Sequence, residues 1–207
     1  MRFIQKISLL GLLFLLPILS YAQDYVEGKS YNKLSQNIAT QTGDKIEVLE
    51  FFWYGCPHCF KFEPTLTEWK KTIPSNVQFI RVPAPLNANW MVHTKTYYAL
   101  ETMGEGDKHH TAIFNAMHVK KMKLRDKESI ANFLEKRGVD KAKFLSTFGS
   151  FAVEMRAKQA YQLAKQYKVE GVPMLAINGK YTISGQQAGS YKAMVDISDS
   201  LFKLETK

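Results

Sequence analysis

An apolar run that leads directly into two closely spaced cysteines constrains the fold of this chain more than any other feature. Residues 46–52 are apolar at nearly every position, which predicts a β-strand inside a sheet that is covered on both faces. Residues 57–71 predict a helix, and Pro57 suits its first turn because the N–H that proline lacks has no partner there. We therefore expect Cys56 just before the helix, at its exposed tip, and Cys59 on the inward face.

A second strand and a helical block follow this helix. Residues 77–82 predict a strand, and the order strand, helix, strand favours parallel pairing through a right-handed crossover. From residue 86 to residue 149 the pattern is helical throughout, with Asp107, Asp126 and Asp140 as candidate N-caps. We interpret residues 86–149 as an all-helical insertion whose methionines and aromatic residues form mostly its core. Those residues are Trp90, Met91, Tyr97, Tyr98, Met103, Phe114 and Met117.

Strand and turn signals return beyond a long predicted helix at 150–168. Two short strands flank Asn178-Gly179, which is a strong two-residue hairpin turn, and a closing helix is predicted at 189–204. The chain is therefore predicted to have an α/β fold. One domain, residues 23–85 and 150–207, is interrupted by the helical insertion.

The N-terminus has the three parts of a secretory signal peptide. Arg2 and Lys6 provide positive charge before the apolar stretch 7–19, and Ser20-Tyr21-Ala22 is a small-x-small cleavage signal. We expect cleavage after this signal, so that residues 1–22 are removed from an exported protein. An uncleaved anchor is the weaker alternative, because the apolar stretch is shorter than the roughly 20 residues that span a bilayer.

The positive charge of the chain is spread out rather than concentrated on one face. The formal charge is +9, and removal of Arg2 and Lys6 lowers it to +7. The densest basic cluster is interpreted as a solvated loop or helix face, so we expect no nucleic acid partner. This cluster comprises Lys120, Lys121, Lys123, Arg125 and Lys127.

Export and the cysteine count together favour a chemical role for the cysteine pair over a stabilising one. An exported chain enters an oxidising compartment, in which disulfides persist. Cys56 and Cys59 are the only cysteines in the chain, and a disulfide that closes so short a loop contributes little stability. The pair is therefore interpreted as a redox-active disulfide.

A metal or haem site is a weaker interpretation of the same pair. Zinc would need two further ligands from the histidines, and the adjacent His109 and His110 point apart on a helix. A c-type haem would need a histidine after the second cysteine, where this chain has Phe60. We expect no metal site.

Two features favour a negative charge on the sulfur of Cys56. The free N–H groups and the macrodipole at a helix N-terminus stabilise an anion, and His58 can donate to the sulfur or add positive charge. Both effects stabilise the reduced thiolate relative to the disulfide. The motif is therefore predicted to be a disulfide donor rather than a reductant.

The motifs of this chain resemble the DsbA family of bacterial periplasmic thiol:disulfide oxidases, and the resemblance covers nearly all of the mature chain. The matching residues are Glu50-Phe51-Phe52, Cys56-Pro57-His58-Cys59, Gly171-Val172-Pro173 and Ile177-Asn178-Gly179-Lys180-Tyr181. The resemblance implies a thioredoxin fold with an inserted all-helical domain, and no cofactor beyond the Cys56–Cys59 disulfide. It also implies a periplasmic location, clients that are reduced and unfolded exported polypeptides, and re-oxidation by a quinone-linked membrane oxidase resembling DsbB.

The resemblance further implies roles for individual residues. A client thiolate would attack Cys56 and release Cys59, the buried partner. Pro173 matches the family's cis-proline, although the sequence alone leaves cis and trans equally open, and Val172 would offer backbone groups to an extended client. Glu50 matches a buried acid with a raised pKa that relays a proton to Cys59. Two further charged residues match family positions near the site, Glu63 and Arg81.

Two other functions stay open on the sequence alone. One is a disulfide isomerase or reductase, which usually carries a separate dimerisation module. Once residues 1–22 are removed, only about twenty residues precede the first core strand, too few for such a module, so we expect a monomer. The other is a peptide-binding chaperone in which the cysteine pair is incidental.

Overall fold

The structure is a computed structural model that describes residues 25–206. The predicted signal peptide lies outside the described residues. Within residues 25–206, no helix is both long enough and apolar enough to cross a bilayer.

A mixed sheet of five strands forms the centre of the fold. Its strands are β1 Asn32–Lys33, β2 Ile46–Phe52, β3 Val77–Pro83, β4 Met174–Ile177 and β5 Tyr181–Ser184. Their order across the sheet is β1-β5-β4-β2-β3. The pair β2 and β3 is parallel, as the strand, helix, strand order predicts, and the other neighbouring pairs are antiparallel. Every residue of β2 is buried, which confirms the expectation of a strand covered on both faces.

Eight helices surround this sheet in the described part of the chain. They are α1 Pro57–Trp69, α2 Ala88–Met103, α3 Gly106–His118, α4 Lys127–Glu135, α5 Lys141–Phe148, α6 Phe151–Gln166, α7 Gly185–Ala188 and α8 Tyr191–Glu205. The helical stretch between β3 and β4 and the mixed sheet together match the predicted thioredoxin fold with a helical insertion. The basic cluster that contains Lys120 and Arg125 is exposed, as predicted.

The long helix α6 connects the helical block to the sheet. It packs against α2 and α5, while its C-cap residue Tyr167 contacts Phe51 of β2 with 5.4 Å between ring centroids. Its buried face consists of Val153, Ala157, Ala160 and Ala164. Because α6 contacts both parts of the chain, the boundaries that we assign at residues 86 and 149 stay a prediction.

The tight hairpin between β4 and β5 confirms the turn predicted at Asn178-Gly179. Both residues have positive φ, 49° and 67°, as this turn type requires. Glycine is needed at the second position for another reason as well. A Cβ on Gly179 would lie 1.9 Å from the carbonyl oxygen of Ile38 in the segment that precedes β2.

Two local predictions were wrong. Asp126 and Asp140 cap their helices, but Asp107 lies in the first turn of α3, and the N-cap is Glu105, whose side chain makes no capping bond. The closing helix begins at Tyr191 instead of residue 189. The short helix α7 lies just before it. The left-handed conformation of Gly189 ends α7, and the side chain of Ser190 caps the start of α8.

Candidate active site

The two cysteines lie at the N-terminus of α1, directly after β2. Cys56 is the N-cap, Pro57 is the first helical residue, and the sulfur of Cys56 accepts a hydrogen bond from the backbone N–H of Cys59 at 3.5 Å. Cys59 faces the core and is fully buried, as predicted. The predicted exposure of Cys56 was wrong, because only 7% of its surface is accessible. In its protonated form, its thiol donates to the carbonyl oxygen of Val172 at 3.3 Å, so the segment before β4 covers it.

The pKa values of the two thiols move in opposite directions. The pKa of Cys56 is lowered to about 6, chiefly by a hydrogen bond from the Cys59 side chain, against the opposing effect of burial. The backbone N–H groups of Cys59 and His58 and the charge of His58 lower it further. Burial raises the pKa of Cys59 well above its usual range, and the hydrogen bond with Cys56 adds to this. Cys56 is therefore the thiolate of the pair and Cys59 the protonated thiol.

The imidazole of His58 contacts Tyr191, a residue that no sequence motif pointed to. Its Nδ1 lies 3.2 Å from the hydroxyl of Tyr191, the first residue of α8, and no ring hydrogen bond joins His58 to the sulfur of Cys56. Tyr191 stacks on Phe62 of α1 with 5.3 Å between ring centroids. No sequence pattern links His58 with Tyr191, because the contact spans 133 residues.

The segment before β4 provides the other wall of the site. The Val172–Pro173 peptide bond is cis, as the family resemblance implies. A groove of about 1240 Å³ runs alongside, between this segment, the β1 edge and the start of α8, and His58 and Tyr191 contribute to its lining. The carbonyl oxygen of Val172 accepts from Cys56, so the reactive sulfur contacts a residue that lines the groove.

A buried cluster of charged side chains lies behind the dithiol. Arg81 on β3 donates from Nε to Glu50 at 3.0 Å and from its terminal nitrogen to Glu63 at 3.0 Å. The structure thus brings together all three charged residues that the resemblance places near the site. Burial raises the pKa of Glu50 to about 8, and Arg81 opposes this only partly. Burial also acts to raise the pKa of Glu63, but hydrogen bonds from His110 and Arg81 and the charge of Arg81 lower it overall.

Three histidines of the helical block hold the residues between β2 and the cysteines. Trp53 donates from Nε1 to Nδ1 of His93 at 2.7 Å, and the hydroxyl of Tyr54 lies 3.0 Å from Nδ1 of His110. His118 donates from Nε2 to the carbonyl oxygen of Tyr54 at 2.8 Å. From the sequence we considered these histidines only as metal ligands. Their positions along α2 and α3 carry no signal of contacts that cross from one part of the fold to another.

Comparison with known proteins agrees with this geometry. Residues 78–191 match the family model described as a DSBA-like thioredoxin domain. The thiol:disulfide interchange protein DsbA of Pseudomonas aeruginosa is 40% identical over 205 residues, which cover 99% of this chain and 97% of that protein. This span necessarily includes the cysteine motif. The DsbA of Pseudomonas syringae pv. tomato is 41% identical over 89% of this chain and 86% of that protein.

Solved structures give the same result for the fold. The crystal structure of Pseudomonas aeruginosa DsbA superposes with a TM-score of 0.85 at 43% identity, covering 89% of this chain and 96% of that one. The oxidoreductase DsbA from Xylella fastidiosa superposes with a TM-score of 0.82 at 30% identity, covering 88% and 98%. The helical insertion is therefore shared with these proteins as well as the sheet.

Proposed function

This chain belongs to the DsbA family and is a thiol:disulfide oxidoreductase, and we propose that it is a dithiol oxidase that donates its Cys56–Cys59 disulfide to newly exported proteins. The opposite pKa shifts of the two cysteines carry this proposal. A thiolate as stable as that of Cys56 is a good leaving group, and it favours the reduced form of the enzyme over the disulfide.

The reaction transfers two electrons from the client to the enzyme. A client thiolate attacks the sulfur of Cys56, the disulfide breaks, and Cys59 leaves and takes up a proton. A second client thiolate then attacks the client sulfur of the mixed disulfide, so that Cys56 leaves as a thiolate and the client keeps a disulfide. No cofactor or metal takes part in either step.

The residues around the dithiol support these two steps. Val172 and Pro173 present an extended client segment to Cys56, with backbone groups of Val172 available for pairing. His58 adds positive charge near the Cys56 thiolate, and Pro57 allows the helix to begin directly at the site. Glu50 supplies the proton that Cys59 takes up, while Arg81 and Glu63 hold Glu50 in place.

We assign the protein to the periplasm as a monomer, after removal of residues 1–22. Its clients there are reduced, unfolded exported polypeptides. A quinone-linked membrane oxidase resembling DsbB restores the disulfide. The predicted signal peptide and the family's function support this assignment.

The redox equilibrium with glutathione tests the proposed direction of transfer. We expect the protein to oxidise glutathione at equilibrium, because the reduced form is stabilised at Cys56. An equilibrium that leaves the protein's disulfide intact in reduced glutathione would instead identify a reductase or isomerase.

Two single substitutions test the unequal roles of the cysteines. Cys56→Ser should abolish oxidation of a reduced client peptide, whereas Cys59→Ser should accumulate a mixed disulfide with it. Full oxidase activity in Cys56→Ser would end the proposal. Slow alkylation of both cysteines at low pH would favour the chaperone alternative, in which neither thiol is activated.

A further inference from the structure

A continuous chain of buried polar contacts extends the charged cluster into the helical block. The hydroxyl of Tyr54 lies 3.0 Å from Nδ1 of His110, and Nε2 of His110 lies 3.2 Å from a carboxyl oxygen of Glu63. Arg81 then joins Glu63 to Glu50, at 3.0 Å from each. His110 belongs to α3, so the chain runs from the helical block through α1 and β3 to the strand that leads into the cysteines.

The hydrogen-bond roles along this chain follow from which groups can donate. Burial keeps the pKa of Tyr54 well above its usual range, so its hydroxyl keeps the proton that it can donate to Nδ1. Burial also lowers the pKa of His110, which favours the neutral imidazole with one donor and one acceptor. With Nδ1 as the acceptor, Nε2 carries the hydrogen and donates to Glu63.

The two carboxyl groups beside Arg81 are not equivalent. One guanidinium cannot balance two buried carboxylates, so one of them is expected to hold a proton. Glu63 accepts from Arg81 at both oxygens and from His110, and 10% of its side chain is exposed. Glu50 is fully buried, and among residues 25–206 it accepts only from Arg81, which leaves one of its oxygens without a partner there.

We propose that His110 is a positioning residue that keeps Glu63 ionised and thereby leaves the shared proton on Glu50. Without the hydrogen bond from His110, Glu63 would lose one of the contacts that distinguish it from Glu50. The proton would then be shared more evenly between the two carboxyl groups. Other titratable groups also act on this cluster. They are Cys59 and Lys70 from α1 and its C-cap, Tyr97 and Glu101 from α2, and Asp107 from α3.

The location of this proton matters for the chemistry of Cys59. A protonated Glu50 can supply the proton that Cys59 takes up when the disulfide breaks, whereas an ionised Glu50 disfavours the Cys59 thiolate by repulsion. This consequence rests on the proposed function. The location of the proton rests only on the contacts, so the two can be tested separately.

Carboxyl titration by carbon-13 NMR of the oxidised protein tests the proposal directly, because neither cysteine titrates in the disulfide form. His110→Phe keeps an aromatic ring among Phe52, Tyr54 and Phe114 but removes the donor to Glu63. We expect Glu50 to titrate about one pH unit lower in this variant and Glu63 correspondingly higher, the size expected for one hydrogen bond to a charged group. His110→Gln, whose amide N–H can take the place of Nε2–H, should restore most of the difference.

His109→Gln is the matched control, because the neighbouring histidine contacts Glu105 instead of Glu63 and should leave both titrations unchanged. Unchanged titrations in His110→Phe, or equal shifts in the Phe and Gln variants, would overturn the proposal. Nitrogen-15 shifts of the wild-type protein give a readout that needs no variant. They should show the hydrogen of His110 on Nε2, and a hydrogen on Nδ1 alone would also overturn it.

The kinetic consequence has its own measurement. In His110→Phe, the pH profile for attack of glutathione on the disulfide should shift in the same direction as the Glu50 titration. The thiolate titration of Cys56 should stay near pH 6, because His110 is not among the groups that set it. A shifted carboxyl titration with an unchanged rate profile would reject the role of Glu50 in the reaction and leave the assignment of the proton intact.

Discussion

At the scale of single residues, two chemically identical thiols have different pKa values because they lie at different positions in one helical turn. Cys56 is the N-cap, and its pKa is lowered to about 6, chiefly by a hydrogen bond from the Cys59 side chain and further by backbone N–H groups. Cys59, three residues later, faces the core, and burial raises its pKa. The hydrogen bond between the two side chains, the burial of Cys59 and the N–H groups of the helix N-terminus all contribute to this difference, and the spacing of the motif predicted the last two.

Tyr191→Phe tests whether the contact with His58 contributes to the low pKa of Cys56. The variant keeps a ring stacked on Phe62 and removes only the hydroxyl 3.2 Å from Nδ1 of His58. We expect the pKa of Cys56 to rise by less than about one unit, because the charge of His58 lowers this pKa and a ring that is not held in place contributes less to that effect. Thiolate absorbance followed against pH measures this.

Tyr181→Phe is a suitable control for this experiment. Tyr181 lies in β5, and its ring packs against Tyr31 instead of a residue of the active site. The Tyr181→Phe variant should have the same Cys56 pKa as the wild-type protein. A Cys56 titration in Tyr191→Phe that is unchanged or moves to lower pH would mean that the hydroxyl does not hold His58 in a favourable position.

At the scale of secondary structure, the sequence predicted what is local and missed what depends on packing. The strand 46–52, the helix start at Pro57 and the Asn178-Gly179 turn are encoded by neighbouring residues, and all three are confirmed. The burial of Cys56 depends on Val172, which is 116 residues away, and the contact of His110 with Glu63 spans 47 residues. No periodicity reports such contacts, because they exist only after the helical block packs on the sheet.

Gly179→Ala tests the hairpin between β4 and β5 as an element. The substituted residue would have to keep a left-handed φ of 67° while its Cβ met the carbonyl oxygen of Ile38. Left-handed backbone alone costs about 1–2 kcal/mol, and the displacement of Ile38 should add to that. We expect a loss in the free energy of unfolding larger than this range, measured by urea denaturation.

Gly43→Ala separates the two causes of this loss. Gly43 lies in a turn with a φ of 60°, but apart from its chain neighbours no residue of the described range 25–206 has a heavy atom within 4 Å of the position of its Cβ. The loss for Gly43→Ala should therefore stay near 1–2 kcal/mol. Equal losses for the two variants would show that the close approach of Ile38 is not important to the hairpin.

At the scale of the whole molecule, the helical block and the sheet meet around the residues that lead to the dithiol. One apolar cluster includes Phe51, Cys59 and Phe114 and continues through α4, α5 and α6. Histidines from α2 and α3 form their hydrogen bonds across the same interface. The insertion thus supplies part of the environment of the active site as well as a cover for the sheet.

The buried carboxyl at this interface should make the stability of the molecule depend on pH. The pKa of Glu50 is raised to about 8 in the folded protein, from 4.5 in the unfolded chain. The folded state therefore binds more protons than the unfolded state between these values, and stability falls as the pH rises toward 8. The buried His110, whose pKa is lowered from 6.5, has the opposite effect, but only below pH 6.5.

Glu50→Gln should remove this dependence in the oxidised protein, in which no thiol titrates. Between pH 6.5 and 8 the stability of the variant relative to wild type should increase with pH, by at most about 1.4 kcal/mol per pH unit. Urea denaturation at several pH values gives this difference. Glu154→Gln serves as the control, because a hydrogen bond from Lys95 lowers the pKa of Glu154 and leaves it ionised throughout this range. A difference between wild type and Glu50→Gln that does not change with pH would mean that Glu50 is already ionised in the folded protein, and it could not then supply the proton to Cys59.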